Sequence, residues 1–201
     1  MRFDMPFDDV FRNRSHVRVL RALYRLPEGL AASGREIARR AGVSHPTAFE
    51  ALDLLVEVGL AVVGRGPVQD AYVLNRDHIL ATSIADVFEI ESRVGHELAR
   101  FVRDRIPALT DKVRSATLFG SVVWGGSSTT SDVDLAVSCA AADVEEVEAA
   151  MAELSDEIQR RFGNRLSPLI DVHEDQSDTG IWSRVREEGQ PLIATGQPVE
   201  P

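Results

Sequence analysis

The sequence predicts an α+β chain in two parts: a helix, a helix-turn-helix and a two-stranded wing in the N-terminal half, then an α/β core with a short mixed sheet in the C-terminal half. Three observations predict it. Charge is uneven: residues 1 to 78 hold 11 Arg and 10 Asp or Glu, a balance of +1, whereas residues 79 to 201 hold 11 Lys or Arg and 22 acids, a balance of −11. Apolar residues recur at helical spacing from Ser15 to Leu60 and then give way to two short strand-like runs around Gly64-Arg65-Gly66-Pro67. Finally, Leu118-Phe119-Gly120-Ser121 is followed ten residues later by Ser131-Asp132-Val133-Asp134-Leu135-Ala136-Val137, a small-residue turn ahead of two carboxylates that alternate on a strand. At 201 residues and 44% hydrophobic, the chain is long enough for two small domains with a core each. The expected division is residues 1–78, a linker helix over 79–107, and residues 108–201.

In the first part, Val19, Leu20, Leu23 and Leu26 define a helix from Ser15 to Leu26, with Ser15 as its N-cap and Pro27 beyond its end. Gly34 to Arg40 turns Ile37 and Ala38 toward a core, and Ala41-Gly42-Val43 is a tight turn. Ser44 caps a third helix with Pro46 in its first turn, and Ala48, Leu52, Leu55, Val56 and Leu60 face inward. Ala61 to Val63 and Ala71 to Leu74 read as the strands of a wing. Through Gly42-Val43-Ser44-His45-Pro46-Thr47-Ala48 and Glu57-Val58-Gly59-Leu60, this half resembles the winged helix-turn-helix of small bacterial repressors of the arsenic-responsive and multidrug-responsive kinds. The resemblance implies operator DNA as a partner, touched by Ser44, His45, Thr47 and Glu50 at the start of the third helix and by Arg65 at the wing tip. Arg12, Arg14, Arg18, Arg35, Arg39 and Arg40 would add backbone charge. A near-neutral domain with Glu50 in that helix also suits a dimerisation or protein-docking platform.

Residues His78 to Ile106 carry apolar side chains on more than one stripe and read as a long helix, broken near Gly95 and stopped by Pro107. It would pack against both domains or against its twin in a homodimer.

In the second part, Asp132 and Asp134 are two apart, so an extended strand points both carboxylates to one face, where they can share divalent ions. Gly120 and Ser121 offer backbone N–H groups and a hydroxyl to phosphate oxygens. The set Gly120-Ser121, Gly125, Ser131-Asp132 and Asp134, with three and five residues in the gaps, resembles the minimal nucleotidyltransferases of the DNA polymerase β superfamily. The family often has Arg before the second glycine, where this chain has Trp124. The further elements are strands at Ala116 to Phe119, Val133 to Cys139 and Leu166 to Val172, a helix at Asp143 to Phe162, and a tail helix and strand carrying Trp182, Val185 and Leu192.

That resemblance implies in-line attack of an acceptor hydroxyl on the α-phosphate of a nucleoside triphosphate, with Mg²⁺ or Mn²⁺ at Asp132 and Asp134. Asp171, on the next strand, would be the third carboxylate, as metal ligand or general base. Gly120, Ser121 and Gly125 would cradle phosphates, with Ser131 beside them. His173 has the spacing to face the same side as Asp171.

Three functions compete. One is a nucleotidyltransferase acting on a protein or RNA hydroxyl, with tRNA as an acceptor, in a toxin–antitoxin setting with the winged helix regulating its own operon. Another is a transcription regulator whose nucleotidyltransferase-like domain senses a nucleotide without turnover. An antibiotic-modifying adenylyltransferase is the third, its acidic half suited to cationic substrates. A single cysteine permits no internal disulfide, no apolar run approaches the ~20 residues of a membrane span, and no secretory signal opens the chain, so the expectation is a cytoplasmic protein without a membrane partner.

Overall fold

The structure is a computed structural model that describes residues 4–67, 69–124, 131–172, 180–194 and 197–199. The chain divides into two compact units, Met1–Glu91 and Ser92–Pro201.

The first unit opens with α1 (Pro6–Val10) and α2 (Arg14–Tyr24). The N-cap of α2 is Asn13 rather than Ser15: the Asn13 side-chain oxygen accepts from the backbone N–H of Ser15 and His16, at 2.9 and 3.0 Å. After β1 (Ala32–Ser33), Ser33 caps α3 (Gly34–Ala41), which ends on Gly42 in the left-handed conformation at φ 61°. Ser44 then caps α4 (His45–Glu57), and β2 (Ala61–Gly64) and β3 (Ala71–Leu74) form the wing. The sheet order is β1-β3-β2, all antiparallel. Val19, Leu20 and Leu23 of α2, Ile37 of α3, and Ala48, Leu52 and Leu55 of α4 meet in one core, with Leu26 and Leu60 beside them. The helix-turn-helix exists because each of its helices offers an apolar stripe to the same point.

α5 (Ala81–Leu109) differs from expectation at three places. It begins at Ala81, it continues through Gly95, and it passes Pro107. No Cβ neighbour lies within 4 Å of Gly95, so its missing side chain removes no packing. Pro107 falls in the last turn, where losing one N–H donor leaves only a single carbonyl of the preceding turn without its helical partner. The helix supplies Ile84 and Phe88 to the first unit's core and Leu98, Ala99, Val102 and Ile106 to the second's. Three of its apolar residues, Val87 (51% exposed), Ile90 (60%) and Val94 (45%), stay in solvent at spacings of three and four.

The second unit continues with β4 (Ser115–Phe119), α6 (Ser121–Trp124), β5 (Val133–Ser138), α7 (Val144–Phe162), β6 (Leu166–Asp171), α8 (Ile181–Glu188), β7 (Gln190–Ala194) and β8 (Gln197–Pro198). Its sheet runs β6-β5-β4-β7-β8, with β5 and β6 parallel and the other pairs antiparallel, so it is mixed as expected. Val133, Leu135 and Val137 point from β5 into the core that α5 and α7 cover with Val102, Ile106, Met151 and Leu154. The opposite face of β5 carries Asp134 and Ala136, and Ala136 packs with Phe119, Leu169 and Val185. Thus α8 covers one end of that face and Asp134 lies on the other.

Candidate functional site

The antiparallel register of β4 and β5 pairs Phe119 with Asp134, so the chain leaving β4 at Gly120 and Ser121 runs beside Val133 and Asp132. Pairing therefore brings together the two halves of a motif separated by ten residues. Gly120 has φ 74°, and a Cβ placed on it would collide with the Asp134 carboxylate. Both the backbone conformation and the close approach demand glycine. Ser121 then opens α6, whose turn closes with Val123 N–H donating to Gly120 O at 3.1 Å.

Asp134 is half-buried and Asp132 exposed. Burial raises the Asp134 carboxyl above its ordinary range, and the like charge of Asp132 adds to it. A partly desolvated Asp134 with the exposed Asp132 carboxylate two residues ahead offers the hard oxygen donors that a divalent cation takes. Among the described residues, no group of three or more His, Cys, Asp or Glu is placed to hold a metal ion.

The parallel register of β5 and β6 sets Asp134 level with Ser167, Ala136 with Leu169, and Ser138 with Asp171. Asp171 shares the face but stands four positions further along, about 13 Å at ~3.3 Å per residue. Its carbonyl accepts from the Cys139 N–H there, at 3.1 Å. The expectation that Asp171 joins Asp132 and Asp134 is corrected on this geometry: the residue beside Asp134 is Ser167, and the Leu169–Ala136–Val185 cluster lies between. Gly125 and His173 lie outside the described residues. Ser131 precedes the pair, and its carbonyl accepts from the Asn164 side chain at 2.8 Å, while Val133 N–H donates to Arg165 O at 2.8 Å. Asn164 therefore anchors the segment leading to the carboxylates. Sequence reasoning missed it, because only the fold carries a residue 33 positions away to that place.

In the first unit the expected contact residues also lie close together. Ser44 and Thr47 hydroxyls are hydrogen-bonded at 2.7 Å, and Ser44 Oγ accepts from Thr47 N–H at 3.4 Å, so both belong to the cap of α4. The exposed His45 ring rests on Phe49 at 4.5 Å, and Phe49 meets Tyr72 of the wing edge-on at 6.2 Å. Phe49 is thus a packing residue that joins helix to wing. Glu50 is exposed beside them, and exposed Arg65 follows β2 in the wing. His16, 1% exposed, has no hydrogen-bond partner for Nδ1 among the described residues. Burial lowers its pKa, nearby Arg12 lowers it further, and Glu50 opposes them.

Comparison with known families separates the same two halves. Residues 12–69 match the MarR family, and residues 105–196 match the polymerase beta nucleotidyltransferase family. No curated protein matches the chain. The protein joins a MarR-type winged helix to a polymerase-β-type nucleotidyltransferase domain in one α+β chain.

Proposed function

We propose that this winged-helix and nucleotidyltransferase chain transfers a nucleoside monophosphate from a nucleoside triphosphate to a protein or tRNA hydroxyl, and binds operator DNA through its first unit. The observation that carries the reading is the β4–β5 register, which lays Gly120 and Ser121 against Asp134 and Asp132. In the reaction, the acceptor oxygen bonds to the α-phosphorus as the bond to the bridging oxygen breaks, pyrophosphate leaves, and the acceptor's proton passes to solvent. Ser121 and the turn's backbone amides hold phosphate oxygens in line. Asp132 and Asp134 would hold Mg²⁺ or Mn²⁺, which when bound supplies positive charge to the phosphates. Asn164 keeps Ser131, and with it the carboxylates, in place. Ser44, His45, Thr47 and Arg65 are the proposed DNA-facing set, Ser44 and Thr47 acting through the helix end they cap.

The place of Asp171 favours a second reading. With Ser167 where a third carboxylate would stand, the domain would bind a nucleotide with metal and not turn it over, so the protein would be a nucleotide-sensing regulator. Incubation with each α-³²P-labelled nucleoside triphosphate and Mg²⁺ decides between them. Label on protein or bulk tRNA that disappears in Asp132→Ala/Asp134→Ala supports transfer. Metal-dependent nucleotide binding without label, lost in the same variant, supports sensing. Neither signal overturns both.

We propose a homodimer through the exposed apolar residues Val87 and Ile90 of the first unit. Light scattering should give twice the chain mass for the wild type and a monomer for Ile90→Glu. A toxin–antitoxin role would follow from the labelled acceptor and the DNA bound.

A further inference from the structure

We propose that the winged-helix unit has a second anion site, for inorganic pyrophosphate or the polyphosphate tail of a nucleotide, in the cavity between the C-terminal turns of α2 and α3. This cavity has a volume of about 500 Å³ and is lined by Arg18, Arg21 and Arg25 of the α2 segment and Arg39 and Arg40 of α3.

Arginine at the end of a helix usually answers the helix dipole, and arginine on a winged helix usually faces DNA. Charge bookkeeping shows that the first explanation is too small. Against five guanidinium charges stand Glu36, which pairs with Arg39 and Arg40, and Glu91, which pairs with Arg21. Each helix C-terminus contributes about half a negative charge. A surplus of about two positive charges remains in the cavity. Shape argues against the second explanation, since a concave space of this size falls in the ~300–1,000 Å³ range of small-molecule pockets, whereas duplex DNA presents a convex backbone.

Several of the guanidiniums are held in place before any ligand arrives. Glu91 grips Arg21 through two hydrogen bonds, 2.5 and 2.6 Å, and the guanidinium lies 5.5 Å from the Phe88 ring centre. Arg18 donates to the Gly42 carbonyl at 3.3 Å. Preset forks lose little entropy on binding, and their planar pairs of N–H groups match phosphate oxygens. Several forks around one space suit a ligand with several phosphoryl groups better than a single carboxylate. Gly42 also lines the cavity, and Ser44, two residues on, caps α4. An anion here lowers the positive field at the start of α4 and so weakens DNA binding.

The choice of polyphosphate rests on the proposed function of the second unit; the cavity and its charge do not. Calorimetric titration of the full chain with pyrophosphate in EDTA tests the site alone, because chelation silences metal-dependent binding at Asp132 and Asp134. The wild type and Asp132→Ala/Asp134→Ala should bind alike, with affinity reduced about tenfold in Arg25→Gln and more in Arg25→Gln/Arg40→Gln, both checked for helicity by circular dichroism. Pyrophosphate should also displace a generic DNA duplex from the wild type. Absence of pyrophosphate binding at millimolar concentration, binding that neither arginine variant weakens, or equal competition by sulfate at the same ionic strength would each overturn the proposal. So would a double variant that loses DNA while pyrophosphate fails to compete, since the arginines would then form a DNA-backbone surface. Failure of nucleotidyl transfer, with pyrophosphate binding intact, would sink only the reading of the second unit.

Discussion

The two units hold their candidate residues by opposite means. In the first, Ser44 and Thr47 bind each other, His45 rests on Phe49, and 11 arginines are dispersed among 13 acids. In the second, the Asp134 carboxylate lies against a glycine that nothing larger can replace, with Asp132 two residues ahead. A dispersed field tolerates the loss of any one member, whereas a concentrated site fails at a point. The first unit should therefore respond gradually to substitution and to salt, and the second abruptly.

The largest expected effect is at the point site. Asp134→Ala should lower label transfer by about three orders of magnitude, as losses of electrostatic stabilisers do. A variant that kept a tenth of the activity would break the contrast. Next come two glycines that both have positive φ and differ in their neighbours. Gly120→Ala meets both backbone strain and the Asp134 carboxylate and should abolish nucleotide binding, at a stability cost of about 1–3 kcal/mol. Gly42→Ala has no atom within 4 Å of the new methyl, so it carries strain alone, about 1 kcal/mol. Hydrogen exchange read separately on peptides of each unit measures both, and equal costs would mean that the packing around Gly120 contributes nothing.

Acidity divides the units too. Burial lowers the His16 pKa, so the folded first unit prefers neutral histidine: its contribution is full above pH 6.5 and is lost as pH falls through the lower folded value. Asp134 runs the other way. Its raised pKa makes the protonated form the better folded partner, so its contribution is present below 3.8 and is lost as pH rises through the folded value. Exchange protection of the first unit should fall from pH 7 to 5, and His16→Leu should remove that slope while adding about 1 kcal/mol, because an unpartnered buried nitrogen is gone. A slope that survives in His16→Leu assigns the effect elsewhere. The smallest effect is expected at Arg105, whose guanidinium pairs with Glu157 at 2.7 and 2.6 Å near the surface of the second unit. Arg105→Ala should shift the denaturant midpoint of the second unit least of all these variants, and high salt should remove most of that shift.

Most of the fold was legible in the sequence because its elements are set by local chemistry. Ser44 with Pro46 starts α4, Gly42 ends α3, and the apolar stripes of α2 and α7 point where their spacing says. The misses have local reasons as well. Asn13 and Ser15 are both good caps, and only the backbone geometry selects between them. Pro107 signals a stop, yet the last turn of a helix has little left to lose. The candidate site was half legible. Gly120, Ser121, Asp132 and Asp134 lie close in sequence and are joined by a single strand pairing. Asp171 reached the right face and the wrong level, because strand register across a helical crossover is fixed by packing along α7 and not by any residue near the aspartate. Asn164 was invisible for the same reason.

Cys139, the chain's single thiol, is 3% exposed at the end of β5, and burial raises its pKa. A thiol reagent cannot reach it while the strand is in place. Its labelling rate is therefore a clock for transient opening of the second unit alone, blind to whatever the first unit does. Run with and without a nucleoside triphosphate, that clock would time how long occupancy holds the sheet closed, with no substitution and no radiolabel.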